Sequence, residues 1–287
     1  MEKADSENKE IFDAAEEAYG LCALLLKEFN SKKIKLSKLS PHKRIFLFFF
    51  TRAMKTYSAV RILCTNGYGQ DASTLLRSLL ENLISVKYIL YGPGIADQKT
   101  IRFVDYKWVI FKRYLSEDKH GFGKDLGEDI ALNKTMIIEK VDEYKKKYKI
   151  SSDKGLITWS GKPLRDMARL VNEALLEEYE FVFRHCSRFS HPSIIGDKEY
   201  LNYKNSTLTL SSLPTTIGAV SNLKKAILYL LDFLKMGNIL FGLSYEGKIR
   251  DFESRIEDMK FPSTEKSTPD ISPKNISEAV VQCDLPL

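Results

Sequence analysis

Residues 177–193 read EEYEFVFRHCSRFSHPS. Wound at about 100° per residue, the run sorts into two faces. Leu175, Tyr179, Val182, Phe183, Cys186 and Phe189 gather on an apolar arc, and Glu180, Arg184, Ser187 and His191 on a polar one. That is the pattern of an amphipathic helix lying on a core. Pro192 has no amide hydrogen to give, so the helix ends at or near His191. Arg184 and His191 are seven residues apart and so face the same way.

The same period recurs on both sides of this run. Residues 8–29 place Ile11, Ala15, Tyr19, Cys22 and Leu26 at helical spacing. Ser40-Pro41 is a helix start, with a capping serine and a proline in the first turn. The second helix then runs through IFLFFFTRAMKTYSAVRILC to a stop at Asn66-Gly67. A third spans about residues 70–91, with Leu76, Leu79, Leu80, Leu83, Val86 and Leu90 on its apolar arc. Helices are also predicted over 95–117, 130–149, 163–172, 174–191, 217–243 and 246–259. Trp159 stands in a loop between two of them. Residues 199–211 alternate around Lys-Asn-Ser and read as a short hairpin or an extended loop. The glycine-rich HGFGKDLGED lacks the spacing and the preceding strand of a phosphate-binding loop. The expectation is an all-α helical bundle forming one domain over residues 1–260. A flexible, disordered tail rich in Pro, Ser, Thr and Asp follows over 261–287.

The 287 residues carry a formal net charge of +6, compatible with an acidic partner without identifying one. Lys32, Lys33, Lys35, Lys38, Lys43 and Arg44 crowd one short basic region, and Lys145, Lys146, Lys147 and Lys149 another. The first is a candidate RNA-binding segment. The ordinary alternative for both is solvated lysines at helix ends. None of the four cysteines, Cys22, Cys64, Cys186 and Cys283, forms a C-x-x-C pair, and the first three lie in apolar helical patterns. Buried thiols in a reducing compartment follow, rather than a disulfide framework or zinc site. The N-terminus has no apolar secretory region, and charges interrupt the apolar runs at 45–50 and 226–243. A cytoplasmic protein with no membrane span is expected.

Two motifs carry a resemblance. The helix at 70–91 contains D-A-x-x-L-x-R-x-x-x-E as Asp71, Ala72, Leu75, Arg77 and Glu81. Residues 159–165 read W-S-G-K-P-L-R, followed by Tyr179, Phe183, Ser187 and His191-Pro192-Ser193. Together they resemble a bacterial family of unknown function over about residues 50–245, which implies a helical domain and gives no activity. A looser likeness is to HEPN domains, helical modules of prokaryotic toxins and antiviral defence proteins. Their ribonuclease motif, an arginine followed by a polar residue and then a histidine, is matched by Arg184 and His191 with six residues between.

The HEPN likeness implies a metal-independent endoribonuclease, without cofactor, acting as a homodimer on RNA. His191 takes the proton from a 2′-hydroxyl and Arg184 binds the scissile phosphate. His185 or Ser187 orients that phosphate, and an Arg77–Glu81 ion pair positions His191 from the neighbouring helix. Beside this stands the ordinary reading: Glu180–Arg184 and Arg77–Glu81 are i, i+4 surface pairs. The whole-chain alternative is a non-catalytic helical module that binds RNA, a nucleotide or a protein partner. A hydrolase built on Ser187 and His191 is weaker, because no third orienting residue is evident.

Overall fold

The computed structural model describes residues 2–31, 38–92, 94–117, 134–190, 201–204, 207–210 and 218–259; side chains are described over a slightly smaller set. The expected tail, the glycine-rich HGFGKDLGED, Lys32, Lys33, Lys35 and His191 lie outside the described residues.

Long apolar arcs need partners, and four long helices supply them to one another. These are α1 (Glu2–Ser31), α2 (Pro41–Thr65), α3 (Gly69–Leu90) and, much later in the chain, α10 (Ala219–Phe241). Residues 66–68 turn α3 back on α2: Asn66 Nδ2 donates to the Ile62 carbonyl at 2.7 Å, and Gly67 takes a φ of 81°, which favours glycine. Phe46, Phe50, Tyr57 and Val60 of α2 meet Leu76, Leu79, Leu80, Leu83 and Ile84 of α3 and Ile227, Leu230, Phe233 and Leu234 of α10, all buried in one core. Gly237 lets α10 approach closely, since a β-carbon there would stand 3.1 Å from Leu25 and 3.2 Å from Phe46. Several buried polar groups find partners across the core. Tyr57 donates to the Ala15 carbonyl at 2.8 Å, and Asn222 donates to Gly69 O at 2.6 Å and Ser73 Oγ at 2.9 Å.

The helix expected over 95–117 is two, α4 (Ala96–Asp105) and α5 (Lys107–Glu117), broken at Tyr106. Contacts distant in sequence hold the break. The Tyr106 hydroxyl donates to the carbonyl of Leu156 at 2.6 Å, while Asp105 accepts from Lys147 at 2.8 Å and Tyr148 at 2.9 Å. α5 packs on α6 (Lys134–Lys147), and Tyr106, Val109, Val141, Tyr144 and Leu156 form a small second core there.

Then come α7 (Leu164–Val171) and a composite helix: α8 (Glu173–Glu178), a π-helical turn (Tyr179–Phe183) and α9 (Arg184–Ser190). The interval at 199–211 contains an antiparallel hairpin, β1 (Leu201–Lys204) with β2 (Thr207–Leu210), Leu201 opposite Leu210. α11 (Glu246–Asp258) packs on α10 through Ile249, Phe252 and Ile256. The fold is an all-α bundle carrying one short hairpin.

Candidate functional site

α3 presents one side to α7 and to the composite helix. Asn172 starts the latter, its side chain accepting the Leu175 amide at 2.8 Å. Leu175, Val182 and Cys186 then enter the main core, and Tyr179 and Phe183 stack at 4.6 Å on its edge. The π-helical turn falls where these aromatic side chains are spaced, so the uniform 100° projection across 177–191 is corrected there. Downstream of it α9 is regular, and it carries Arg184 to Ser190, the residue before His191.

The solvent side is organised by Glu180. Its carboxylate accepts from Arg165 Nε of α7 and pairs with Arg184 Nε at 3.0 Å. The Arg165 hydrogen bond, with help from the charges of Arg184 and Arg169, holds the Glu180 carboxyl below the usual range. The Arg184 side chain is 66% exposed, so the pair leaves most of the guanidinium open to solvent. Next to it Phe181 is 76% exposed, an unusual placement for a phenylalanine, and its ring lies parallel to that of exposed His185 at 6.5 Å.

The other side residues divide between this face and the core. Arg77 pairs with Glu81 at 3.4 Å and sets its guanidinium 4.4 Å over the Phe183 ring, so α3 and the π-helical turn meet through a cation–π contact. Ser187 donates to the Phe183 carbonyl at 2.6 Å, inside its own helix. The Cys186 thiol is buried, and burial pushes it up to about 11 despite the nearby Arg77 charge; Cys22 and Cys64 are likewise buried. In the basic segment, Lys38 and Arg44 are exposed and Lys43 lies 5.5 Å from the Phe241 ring centre. That group sits at the start of α2, on a different element from Arg184. Among the described residues, no three His, Cys, Asp or Glu side chains converge as metal ligands. No helix among them is long and apolar enough to cross a membrane.

Sequence reasoning missed two members of this surface. Phe181 sits three residues before Arg184 and four before His185, and that spacing on the polar face was the available signal. Arg165 stands in the quoted W-S-G-K-P-L-R string, but no local pattern pairs it with Glu180, fifteen residues on.

A helical bundle whose late composite helix exposes an arginine and two aromatic rings defines the class. The chain belongs to a family of unknown function, DUF5677, whose pattern matches residues 43–207, more than half its length. That interval includes Arg77, Glu81, Arg184 and His191 and begins at Lys43. No curated protein and no solved structure matches the chain.

Proposed function

We propose that the chain is a HEPN-like, metal-independent endoribonuclease whose reacting groups are Arg184 and His191. The observation that carries this reading is the exposed guanidinium of Arg184, held by Glu180 at the start of the regular helix that leads to His191. RNA cleavage of this kind needs an imidazole to take the 2′-hydroxyl proton while that oxygen attacks the adjacent phosphorus. The 5′-oxygen leaves with a proton, and a cyclic phosphate remains. It also needs a cation on the phosphate, and Arg184 is disposed to supply it. Arg77 and Glu81 brace the composite helix from α3 through Phe183, a positioning part. Action as a toxin or in antiviral defence, and assembly as a homodimer, belong to this same reading.

A second reading, RNA binding without cleavage, is favoured by the double engagement of Glu180. A guanidinium already paired to a carboxylate serves readily as a binding contact. The experiment is RNA cleavage in EDTA by the wild type, Arg184→Ala and His191→Ala. Loss of ~10²–10⁴-fold in each variant is expected from removal of one acid–base or phosphate-binding group. Full activity in His191→Ala removes that residue from the chemistry. Salt-sensitive binding with no cleavage by the wild type selects the second reading.

A further inference from the structure

The start of α2 is capped from outside. Ser40 stands at the N-cap, yet its hydroxyl makes no capping bond, contrary to the sequence expectation. Asp97, in the first turn of α4, takes the role instead: its Oδ1 accepts the His42 amide at 2.9 Å. The same oxygen lies 2.7 Å from His42 Nδ1. A carboxylate has no proton to donate, so Nδ1 carries the hydrogen, and in the neutral imidazole Nε2 keeps its lone pair. Ser40 Oγ lies 3.3 Å from Nε2 and donates to it when the imidazole is neutral. Hydroxyl, imidazole and carboxylate therefore follow one another in the order nucleophile, base, orienting acid. Burial pulls the Asp97 carboxyl upward, but the His42 amide and ring, with Arg44, outweigh it and keep the group below its ordinary range. All three side chains are reachable, with His42 25% and Asp97 46% exposed and Ser40 half-buried.

A groove of about 390 Å³ runs between α2 and α4 from Pro41, the residue that joins Ser40 to His42. Phe48, Ile101 and Val104 make its walls apolar, and exposed Arg44 stands on its rim. Thr100 also lines it. That residue is 3% exposed, and its hydroxyl has no hydrogen-bond partner in the protein. That oxygen is itself sealed from the groove, so the surface Thr100 adds to the wall is apolar.

We propose that Ser40, His42 and Asp97 form a second active site, one that hydrolyses carboxylic esters whose apolar acyl chain lies in the α2–α4 groove. Ser40 Oγ attacks the ester carbonyl carbon as its proton passes to His42 Nε2. The tetrahedral intermediate collapses, the carbon–oxygen bond to the alcohol breaks, and the alcohol leaves with that proton. Water then attacks the acyl-serine, gives a proton to His42, and releases the carboxylic acid as Ser40 recovers its hydrogen. A first-turn amide of α2, such as that of Lys43, would meet the developing oxyanion. Asp97 is a positioning residue that fixes the imidazole tautomer. This site is independent of the ribonuclease reading and uses neither Arg184 nor His191, although Lys43 and Arg44 also belong to the basic segment named as an RNA-binding candidate.

The test uses the full chain with an alkyl fluorophosphonate and p-nitrophenyl acetate and octanoate. One adduct is expected, mapping by mass to the peptide containing Ser40 and absent from Ser40→Ala. Asp97→Asn is expected to lower kcat by at least about 100-fold with KM little changed, a split that loss of a structural cap does not produce. Ile101→Trp fills the groove and should slow octanoate more than acetate, a readout that survives if Asp97→Asn fails to fold. A folded wild type that takes no adduct at Ser40, or a Ser40→Ala variant that hydrolyses both esters normally, overturns the proposal. Equal slowing of both esters by Ile101→Trp overturns the groove assignment.

Discussion

Glu180 receives guanidinium groups from two elements, Arg165 on α7 and Arg184 on α9. Only the second was legible in the sequence, as an i, i+4 pair, because helical spacing is a local rule and the Arg165 contact is tertiary. Arg77–Glu81 was legible in the same way, while the Arg77 contact with Phe183 was not, since it crosses between helices. Because the Glu180 carboxyl is depressed in the folded chain, its contribution to stability is present above the ordinary glutamate value. It fades as pH falls through the lower folded value. The expected outcome is a wild type that melts above Glu180→Gln near neutrality, with the gap closing below about pH 4 and vanishing in stronger acid. Thermal melts of both proteins across that range check it. A gap that widens on acidification contradicts the arrangement.

The elements themselves were largely readable. The apolar arcs of α2, α3 and α10 repeat at helical spacing, and those arcs are what the core contains: Leu76, Leu79, Leu80 and Leu83 are all buried. Truncating one of them tests that burial. Leu80→Ala should destabilise the chain by about 2–5 kcal/mol in denaturant titration, while a change under about 1 kcal/mol is what an exposed position gives. Two features escaped the sequence for the same reason. The break between α4 and α5 is imposed by Tyr106 reaching the carbonyl of Leu156, which no window around residue 106 reveals. The π-helical turn at Tyr179–Phe183 shifts helical phase without any glycine or proline to announce it. At the start of α2 the serine–proline signal located the helix correctly and misassigned its cap, because the competing carboxylate lies fifty-five residues away.

At the scale of the whole molecule, α3 is the shared wall. It touches α2 and α10 within the bundle, α4 beyond its end, and α7 and α9 under the candidate site. The α5–α6 pair is held instead by the small cluster around Tyr106, Val109, Val141 and Tyr144. A helix enclosed on so many sides can release its amides only when nearly everything else has come apart, whereas a pair clasped by one small cluster can open alone. In deuterated solvent the amides of α3 should therefore be the last to pick up label and those of α5 and α6 among the earlier ones, with two separate opening free energies. Uniform labelling of both would mean the molecule opens as one unit. If the two rates differ, the surface around Arg184 rests on the most slowly breathing part of the chain and keeps its geometry while the α5–α6 arm loosens.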